Sequence, residues 1–307
     1  MNILSLFDGM SCGQIALREL GIKVDKYFAS EIDKHAIAQT QLNFPETIQL
    51  GSVTEVKATD LPPIDMLIGG SPCQGFSFAG KQLNFSDPRS VLFFEYVRIL
   101  KEIKEINPNV LFLLENVRMK RQFEAVISEQ LGLQPVMINS ALVSAQNRVR
   151  LYWTNIRTRK ESLFSELYTD IPQPKDKGLL LQDILEPNVP ERYYLSEKTP
   201  TLTANAWEQN NLVVSGTFRT HKDDFGFREI KSGKAATIPA RAREDGSGQN
   251  VCKINHRIRR LTPIECSRLQ TIPSWYNWGC SETQIYKMLG NGWTVDVIKH
   301  IFKYINQ

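Results

Sequence analysis

A cysteine in a glycine-rich segment is the residue of this chain best suited to nucleophilic chemistry. Cys73 lies in the run Gly-Gly-Ser-Pro-Cys-Gln-Gly-Phe-Ser at residues 69–77, directly after an apolar run at residues 64–68. An apolar run bounded by glycine and proline predicts a buried strand, so Cys73 would lie on a loop at its carboxyl end. A thiolate is the strongest nucleophile that a protein offers near neutral pH. We therefore predict that Cys73 attacks a substrate rather than packing as a structural thiol.

A carboxylate and two arginines follow other predicted strands. Glu115 comes directly after the apolar run at residues 110–114, and Arg148 and Arg150 alternate in a segment that reads as extended. Side chains two residues apart on a strand share one face. A nucleophile, an acid and two cations could therefore converge, although a capping glutamate and solvent-facing arginines remain the alternative interpretation.

A turn with two glycines, Gly9 and Gly13, follows the first predicted strand. Glycine lets the backbone approach a ligand at the carboxyl edge of a sheet. Glu31 ends the second predicted strand, about 20 residues further on, where an acid commonly binds ribose hydroxyls. The turn lacks the GxGxxG fingerprint, but turn and acid together indicate an adenosine-containing cofactor. The alternative is an ordinary turn and a surface carboxylate.

The elements that must position these residues alternate between short apolar runs and helical patterns. This alternation is typical of βαβ units around a parallel sheet. The predicted strands cover residues 2–7, 24–31, 64–68, 110–114, 137–143 and 149–155, and the predicted helices cover residues 14–20, 34–44 and 91–106.

The second half of the chain loses this periodicity beyond about residue 157. Proline, lysine and glycine punctuation there predicts a linker and a smaller irregular domain. Regularity returns at Thr262, which can cap a helix together with Glu265. A last helix over residues 294–305 carries an apolar stripe that should pack on the first-half sheet. The small domain is therefore predicted to be an insertion in one catalytic domain.

The composition excludes several classes of protein. Of 307 residues, 42% are hydrophobic and 23% are charged, which is typical of a globular protein and not of a disordered chain. There is no apolar stretch long enough to span a membrane and no secretory leader pattern, so we expect neither membrane insertion nor secretion. The five cysteines form no CxxC pair, which predicts a reducing, cytoplasmic setting without disulfides or a metal site.

Positive charge is concentrated in one stretch of the chain. Residues 217–260 contain eleven Lys and Arg against five Asp and Glu, whereas the whole chain has a net charge of only +4. Such a cluster can bind a polyanion by releasing its condensed counterions. A solvated basic surface is the alternative.

The motifs together resemble one family, the cytosine-5 DNA methyltransferases, over nearly the full length of the chain. The resemblance lies in seven segments in family order, at residues 7–9, 30–31, 71–74, 115–117, 146–150, 260–266 and 290–292. Phe7-Asp8-Gly9, the tract at residues 92–95, Tyr152-Trp153 and Trp293 look more like the vertebrate de novo enzymes than typical bacterial ones.

This resemblance implies a fold and a division of the chain. The fold class is α/β, a doubly wound, Rossmann-like sheet that binds S-adenosyl-L-methionine (AdoMet), with a smaller inserted target-recognition domain. The implied domains are the catalytic domain at residues 1–175, the target-recognition domain at 176–261, and the hinge and return to the catalytic domain at 262–307.

The resemblance also implies residue roles and partners. Cys73 would add to C6 of cytosine, Glu115 would hold N3 and N4, and Arg148 and Arg150 would help bind a nucleotide flipped out of duplex DNA. The implied cofactor-binding residues are Phe7, Asp8, Gly9, Glu31, Ile32, Ser52, Val53, Pro72, Asn291 and Trp293. The implied DNA-binding residues are Gln74, Ser77, Thr237, Arg241 and Arg243.

Double-stranded DNA is the expected partner of a monomer in the cytoplasm of a bacterial or phage-infected cell, with a cognate restriction enzyme as a candidate system partner. AdoMet would leave as S-adenosyl-L-homocysteine. Ser52 departs from the family, which usually has Asp there. The alternatives are a tRNA methyltransferase, although its Cys-Phe-Thr signature is absent, a non-catalytic DNA-binding regulator, and a nicotinamide oxidoreductase.

Overall fold

The computed structural model describes residues 1–72, 88–160, 162, 166–190, 214–218, 227–238, 250–254 and 257–305. The chain divides into two units. The first comprises Met1–Asn139, Val149–Gln173 and Val297–Gln307, and the second comprises Ser140–Arg148 and Pro174–Asp296.

Short apolar runs form a seven-stranded sheet in the first unit. Its strands have the order β3-β2-β1-β4-β5-β7-β6, and β7 runs antiparallel to both of its neighbours. The strands are β1 (Asn2–Leu6), β2 (Lys26–Ser30), β3 (Ile48–Gln49), β4 (Met66–Gly69), β5 (Leu111–Val117), β6 (Val136–Asn139) and β7 (Val149–Thr154). The strand order reverses between β1 and β4, and ligands of such sheets bind at the carboxyl ends of the strands at this switch point. The predicted α/β doubly wound fold is confirmed.

The helices of this unit are α1 (Cys12–Glu19), α2 (Lys34–Asn43), α3 (Pro88–Ile106), α4 (Arg121–Leu131) and α7 (Val295–Phe302), of which the last begins in the second unit. Asp33 caps α2 by accepting the His35 N–H at 2.9 Å. The α7 side chains Ile298 and Ile301 are fully buried. A two-stranded ribbon of β8 (Thr158–Lys160) and β9 (Leu167–Thr169) completes the unit.

The observed boundaries differ from the predicted ones where side chains compete for backbone groups. The second strand ends at Ser30 rather than at residue 31, because the Glu31 carboxylate accepts the next two backbone N–H groups. The predicted strand 137–143 is shortened to Val136–Asn139, and Ser140–Leu142 form a 3-10 turn instead.

The second unit contains a four-stranded antiparallel sheet, which corrects the expectation of an irregular domain. Its order is β11-β10-β12-β13, from β10 (Val214–Phe218), β11 (Phe227–Glu229), β12 (Asn250–Ile254) and β13 (Arg257–Arg260). Helices α5 (Pro263–Leu269) and α6 (Glu282–Asn291) follow. The predicted capping box is confirmed, since Thr262 Oγ1 accepts the Glu265 N–H and Glu265 Oε2 accepts the Thr262 N–H.

Within the described part of the chain, no helix is long and apolar enough to cross a bilayer.

Candidate active site

The turn after β1 is held against the end of β2. Phe7 and Gly9 both have left-handed backbone angles, with φ of 58° and 59°. The Asp8 N–H donates to the Ser30 carbonyl at 3.2 Å, and the Gly9 N–H donates to Glu31 Oε2 at 2.8 Å. Positive φ is strained for a non-glycine residue and persists only where the surroundings hold it. The glycine turn and the acid that the sequence singled out therefore meet at one sheet edge.

Glu31 organises this edge through its contacts with backbone donors. Its Oε1 accepts the N–H groups of Ile32 at 2.7 Å and Asp33 at 2.8 Å, in addition to the Gly9 contact of Oε2. Ile32 itself is 77% exposed, so its side chain is accessible to a bound ligand.

Ser52 and Val53 follow β3 in a tight turn. Ser52 Oγ lies 2.8 Å from Thr54 Oγ1 and accepts the Thr54 N–H at 3.4 Å, which caps a short 3-10 turn that starts at Val53. Val53 is buried. The Ser52 side chain therefore has a local structural role in addition to any contact with a ligand.

The end of β4 leads towards the predicted nucleophile. A Cβ atom added at Gly69 would lie 3.0 Å from the Leu6 carbonyl oxygen and 3.1 Å from the Tyr96 ring, so the close strand contact there needs glycine. The structure describes the chain as far as Pro72. The predicted residues Cys73, Gln74 and Ser77 lie outside the described residues.

Glu115 and Arg150 form an ion pair at the carboxyl end of β5. Arg150 Nε lies 2.9 Å from Glu115 Oε1, and the two side chains are only 13% and 11% exposed. In the antiparallel pairing of β5 with β7, Arg150 is opposite Val117, two residues from Glu115. Such diagonal neighbours are within reach of a long side chain. The structure therefore brings together two of the four predicted catalytic residues.

Arg148 contacts backbone carbonyl groups of the second unit. Its side chain is buried, and its guanidinium donates to the Gly290 carbonyl at 3.3 Å and to the Gly292 carbonyl at 2.8 Å. Gln270 Nε2 donates to the Leu289 carbonyl at 2.6 Å. Arg148 and Gln270 thus hold the turn that contains Asn291.

The remaining predicted residues of the second unit have distinct environments. Asn291 is exposed at the end of α6, and Trp293 is partly exposed. Thr237 Oγ1 donates to the Asn147 carbonyl at 2.8 Å. Arg241 and Arg243 lie outside the described residues.

Three other cysteines lie in environments that disfavour the thiolate. Burial raises the pKa of Cys252 to about 12 and raises those of Cys266 and Cys280 above the usual range. Cys12 is also buried. Among the described residues, no three His, Cys, Asp or Glu side chains form a group that could hold a metal ion.

Asp8 is a buried carboxyl group with an altered pKa. Desolvation, together with the charge of Glu31, raises the pKa of Asp8 to about 6, and the hydroxyls of Ser5, Ser11 and Tyr27 offset part of this effect. Tyr27 donates to Asp8 Oδ1 at 2.9 Å, whereas Oδ2 is buried without a hydrogen-bond partner among the described residues. Ionised Asp8 is therefore unfavourable in the folded protein.

Asp8→Asn should remove the free-energy cost of burying an ionised carboxylate at this position. A carboxyl pKa that is higher in the folded than in the unfolded chain makes wild-type stability fall as the pH rises from about 4 to about 6. We expect the variant to be more stable than wild type by about 1 to 3 kcal/mol at pH 7.5, with no gain at pH 4. Urea unfolding at both pH values measures the difference. Exposed Asp60 provides the control Asp60→Asn, and an equal pH trend in both variants would contradict the assignment.

The chain is similar to known methyltransferases over almost its whole length. The family model for C-5 cytosine-specific DNA methylase matches residues 1–307. The type II methyltransferase M1.ScrFI of Lactococcus lactis subsp. cremoris is 33% identical over 98% of this chain and 76% of its own length. The type II methyltransferase M.DsaV of Dactylococcopsis salina is 32% identical over 98% of this chain and 84% of its own length. The Entamoeba histolytica methyltransferase EhMeth structure superposes with a TM-score of 0.71 at 16% identity, covering 99% of this chain and 97% of that one, which supports the fold alone.

The chain belongs to the family of C-5 cytosine-specific DNA methylases. It is a DNA (cytosine-5-)-methyltransferase, which transfers a methyl group from AdoMet to C5 of cytosine in DNA. The expected likeness to the vertebrate de novo branch is corrected, because the relatives named above are bacterial type II methyltransferases. The few residues behind that expectation cover a small part of the chain, whereas the relatives match almost all of it.

Proposed function

We propose that the chain methylates one cytosine in a short, specific sequence of duplex DNA through a covalent adduct on Cys73. The observation that best supports this is the Glu115–Arg150 pair at the carboxyl end of β5. The neighbouring strand β4 pairs with β5 in parallel and leads to the segment that contains Cys73. A carboxylate and a guanidinium fixed in this way can orient a polar base.

Cys73 and Glu115 have complementary roles in the proposed reaction. The Cys73 thiolate forms a bond to C6 of cytosine, while Glu115 binds N3 and N4 and donates a proton towards N3 as negative charge develops there. C5 thereby becomes nucleophilic. After methylation, loss of the C5 proton and departure of Cys73 restore the aromatic ring. The target base must leave the duplex, since neither residue could reach it inside the stack.

The edge around β1 and β2 fits AdoMet, whose chemical contribution is a methyl group on a cationic sulfur. A buried carboxylate oxygen of Asp8 without a hydrogen-bond partner among the described residues suits a cationic ligand. In the proposed assignment Phe7 packs on adenine, Glu31 binds the ribose and Val53 lines the adenine pocket. The remaining cofactor contacts that we propose are Asp8, Gly9, Ile32, Ser52, Pro72, Asn291 and Trp293.

Ser52→Asp tests the adenine end of this assignment. Asp can also cap the turn that Ser52 caps, so the backbone should be retained. A charge-assisted hydrogen bond to the adenine amine is stronger than a neutral one, and we expect about fivefold tighter AdoMet binding. Titration calorimetry of wild type, Ser52→Asp and Ser52→Ala measures this. Unchanged affinity in both variants would mean that Ser52 does not face adenine.

The second unit is proposed to read the DNA sequence. The proposed DNA contacts are Gln74, Ser77, Thr237, Arg241 and Arg243. We also propose the domain boundaries 1–175, 176–261 and 262–307. Arg148 and Arg150 are proposed to be the two arginines that bind the flipped nucleotide. For Arg148, whose guanidinium binds the Gly290 and Gly292 carbonyls, this role would combine with support of that turn.

The biological setting is proposed from the relatives. Both relatives named above are type II methyltransferases, so a cognate restriction enzyme is a candidate system partner. We propose a monomer that acts on DNA in the cytoplasm of a bacterial or phage-infected cell.

Substrate labelling tests the proposal. The protein would be incubated with AdoMet labelled in its methyl group and either duplex DNA, single-stranded DNA or tRNA. We expect label in 5-methylcytosine of duplex DNA. Label confined to tRNA, or found in no nucleic acid, would overturn the proposal.

A further inference from the structure

A buried side-chain hydrogen bond links the ends of β4 and β5. Asn116 Nδ2 donates to Ser71 Oγ at 3.2 Å, and Asn116 Oδ1 accepts the Val117 N–H at 2.8 Å. Asn116 is 1% exposed and Ser71 is 5% exposed. Because both ends of the Asn116 amide are bonded, its orientation is fixed.

This hydrogen bond continues the register of strands β4 and β5. The parallel ladder between β4 and β5 runs from Met66 opposite Leu111 to Gly69 opposite Leu114. The same offset places Ser71 opposite Asn116, two residues beyond the last paired residues. The side-chain hydrogen bond therefore prolongs the strand register after the backbone ladder has ended.

The two residues flank the proposed reacting groups in sequence. Ser71 precedes Cys73 by two positions, and Asn116 directly follows Glu115. Glu115 is itself held by Arg150. A fixed link between Ser71 and Asn116 thus holds Ser71, two residues before Cys73 in sequence, in a fixed position relative to the strand that carries Glu115.

We propose that Ser71 and Asn116 are a pair of positioning residues, whose hydrogen bond aligns the start of the nucleophile segment with Glu115 for addition to cytosine. This inference rests on the proposed roles of Cys73 and Glu115. Misplacing a reacting group by about 1 Å can lower a rate about 100-fold, so one buried hydrogen bond at this point can have a large effect.

Two variants of equal shape separate the hydroxyl from packing. Ser71→Thr keeps the hydroxyl and adds one methyl group. Ser71→Val has the same shape as the threonine variant, with a methyl group in place of the hydroxyl. We expect Ser71→Val to lower the single-turnover methyl-transfer rate constant about 10- to 100-fold, while Ser71→Thr stays within about threefold of wild type. The KM for DNA and the AdoMet affinity should be unchanged in both.

A second readout isolates the addition step. Addition of Cys73 to C6 lets C5 take up a solvent proton, and elimination then releases the original C5 hydrogen to water. Tritium release from DNA containing 5-tritiated cytosine, without AdoMet, should therefore fall in Ser71→Val by the same factor as methyl transfer. Asn116→Ala should show the same loss, and combining it with Ser71→Val should add little further loss.

The outcomes distinguish this inference from the proposed function. Equal rates in Ser71→Val and Ser71→Thr, or a rate loss matched by a loss of AdoMet affinity, would overturn the positioning role. Ser71→Ala replaces Ser71→Val in the same comparison if the valine variant does not fold. If wild type itself releases no tritium and transfers no methyl group, the proposed function fails instead.

Discussion

Cys73→Ser should transfer no methyl group to DNA, while the protein still folds and binds DNA and AdoMet. A serine hydroxyl is not ionised to a useful extent near pH 7, so the bond to C6 of cytosine cannot form at a significant rate. Cys280→Ser is the matched control, because Cys280 is half-buried and burial raises the pKa of its thiol. That control should retain methyl transfer. Binding of AdoMet and DNA, measured by calorimetry, establishes that the inactive protein is folded.

DNA that contains 5-fluorocytosine provides the complementary test of Cys73. With AdoMet present, methyl transfer leaves C5 bearing a methyl group and fluorine but no proton, so Cys73 cannot be eliminated and the protein should stay attached to the DNA. Denaturing electrophoresis should show this adduct for wild type and for Cys280→Ser. An adduct that persists in Cys73→Ser would contradict the assignment of the nucleophile.

The second large effect is expected in the second unit, at a buried ion pair. Arg259 Nη1 and Nη2 lie 2.8 and 2.7 Å from the two oxygens of Glu265, and the side chains are 1% and 0% exposed. The N–H groups of Thr262 and Glu186 also donate to this carboxylate. The pair therefore joins β13 to the first turn of α5.

Arg259→Met should lower the free energy of unfolding by about 3 to 5 kcal/mol, since it leaves the Glu265 charge buried without its cation. The double variant Arg259→Met/Glu265→Leu should recover much of this loss, because two apolar side chains can replace a buried ion pair. Urea denaturation measures both.

A solvent-accessible pair in the first unit gives the control for Arg259→Met. Arg157 and Asp170 lie 3.0 Å apart with side chains 45% and 30% exposed. Arg157→Met should cost at most about 1 kcal/mol. Equal losses in Arg157→Met and Arg259→Met would show that burial does not determine the strength of the Arg259 pair.

The sequence predicted the sheet of the first unit well because its signals are local. The strands β1, β4 and β5 are buried on both faces and consist mainly of apolar residues, so they can be recognised without knowledge of their partner strands. The capping box at Thr262 is likewise recognisable from four consecutive residues. Motif order then indicated the family, and the family model confirms it.

The features that could not be predicted from the sequence depend on pairing between strands that are distant in the chain. Strand β13 contains three arginines in four residues, so no apolar pattern marks it, and it is recognisable only by its register with β12. The Glu115–Arg150 contact likewise requires the antiparallel register of β5 with β7.

Two polar residues of the candidate site had no assigned role at the level of sequence. Ser71 and Asn116 lie within the family segments at residues 71–74 and 115–117, but nothing in their types indicates that they bond to each other. The signal that identifies them is the offset shared by the paired residues of β4 and β5, which continues to Ser71 and Asn116. A register of this kind can be read only after the strands have been paired.

A base-resolution methylation map of a genome tests whether the chain methylates cytosine in DNA through Cys73. Wild type and Cys73→Ser would be expressed separately in a host whose DNA lacks 5-methylcytosine. Wild type should produce 5-methylcytosine at one short, recurring sequence, and Cys73→Ser should produce none. A wild-type genome without 5-methylcytosine would contradict the proposed activity, and the same modified sites with Cys73→Ser would contradict the role of Cys73.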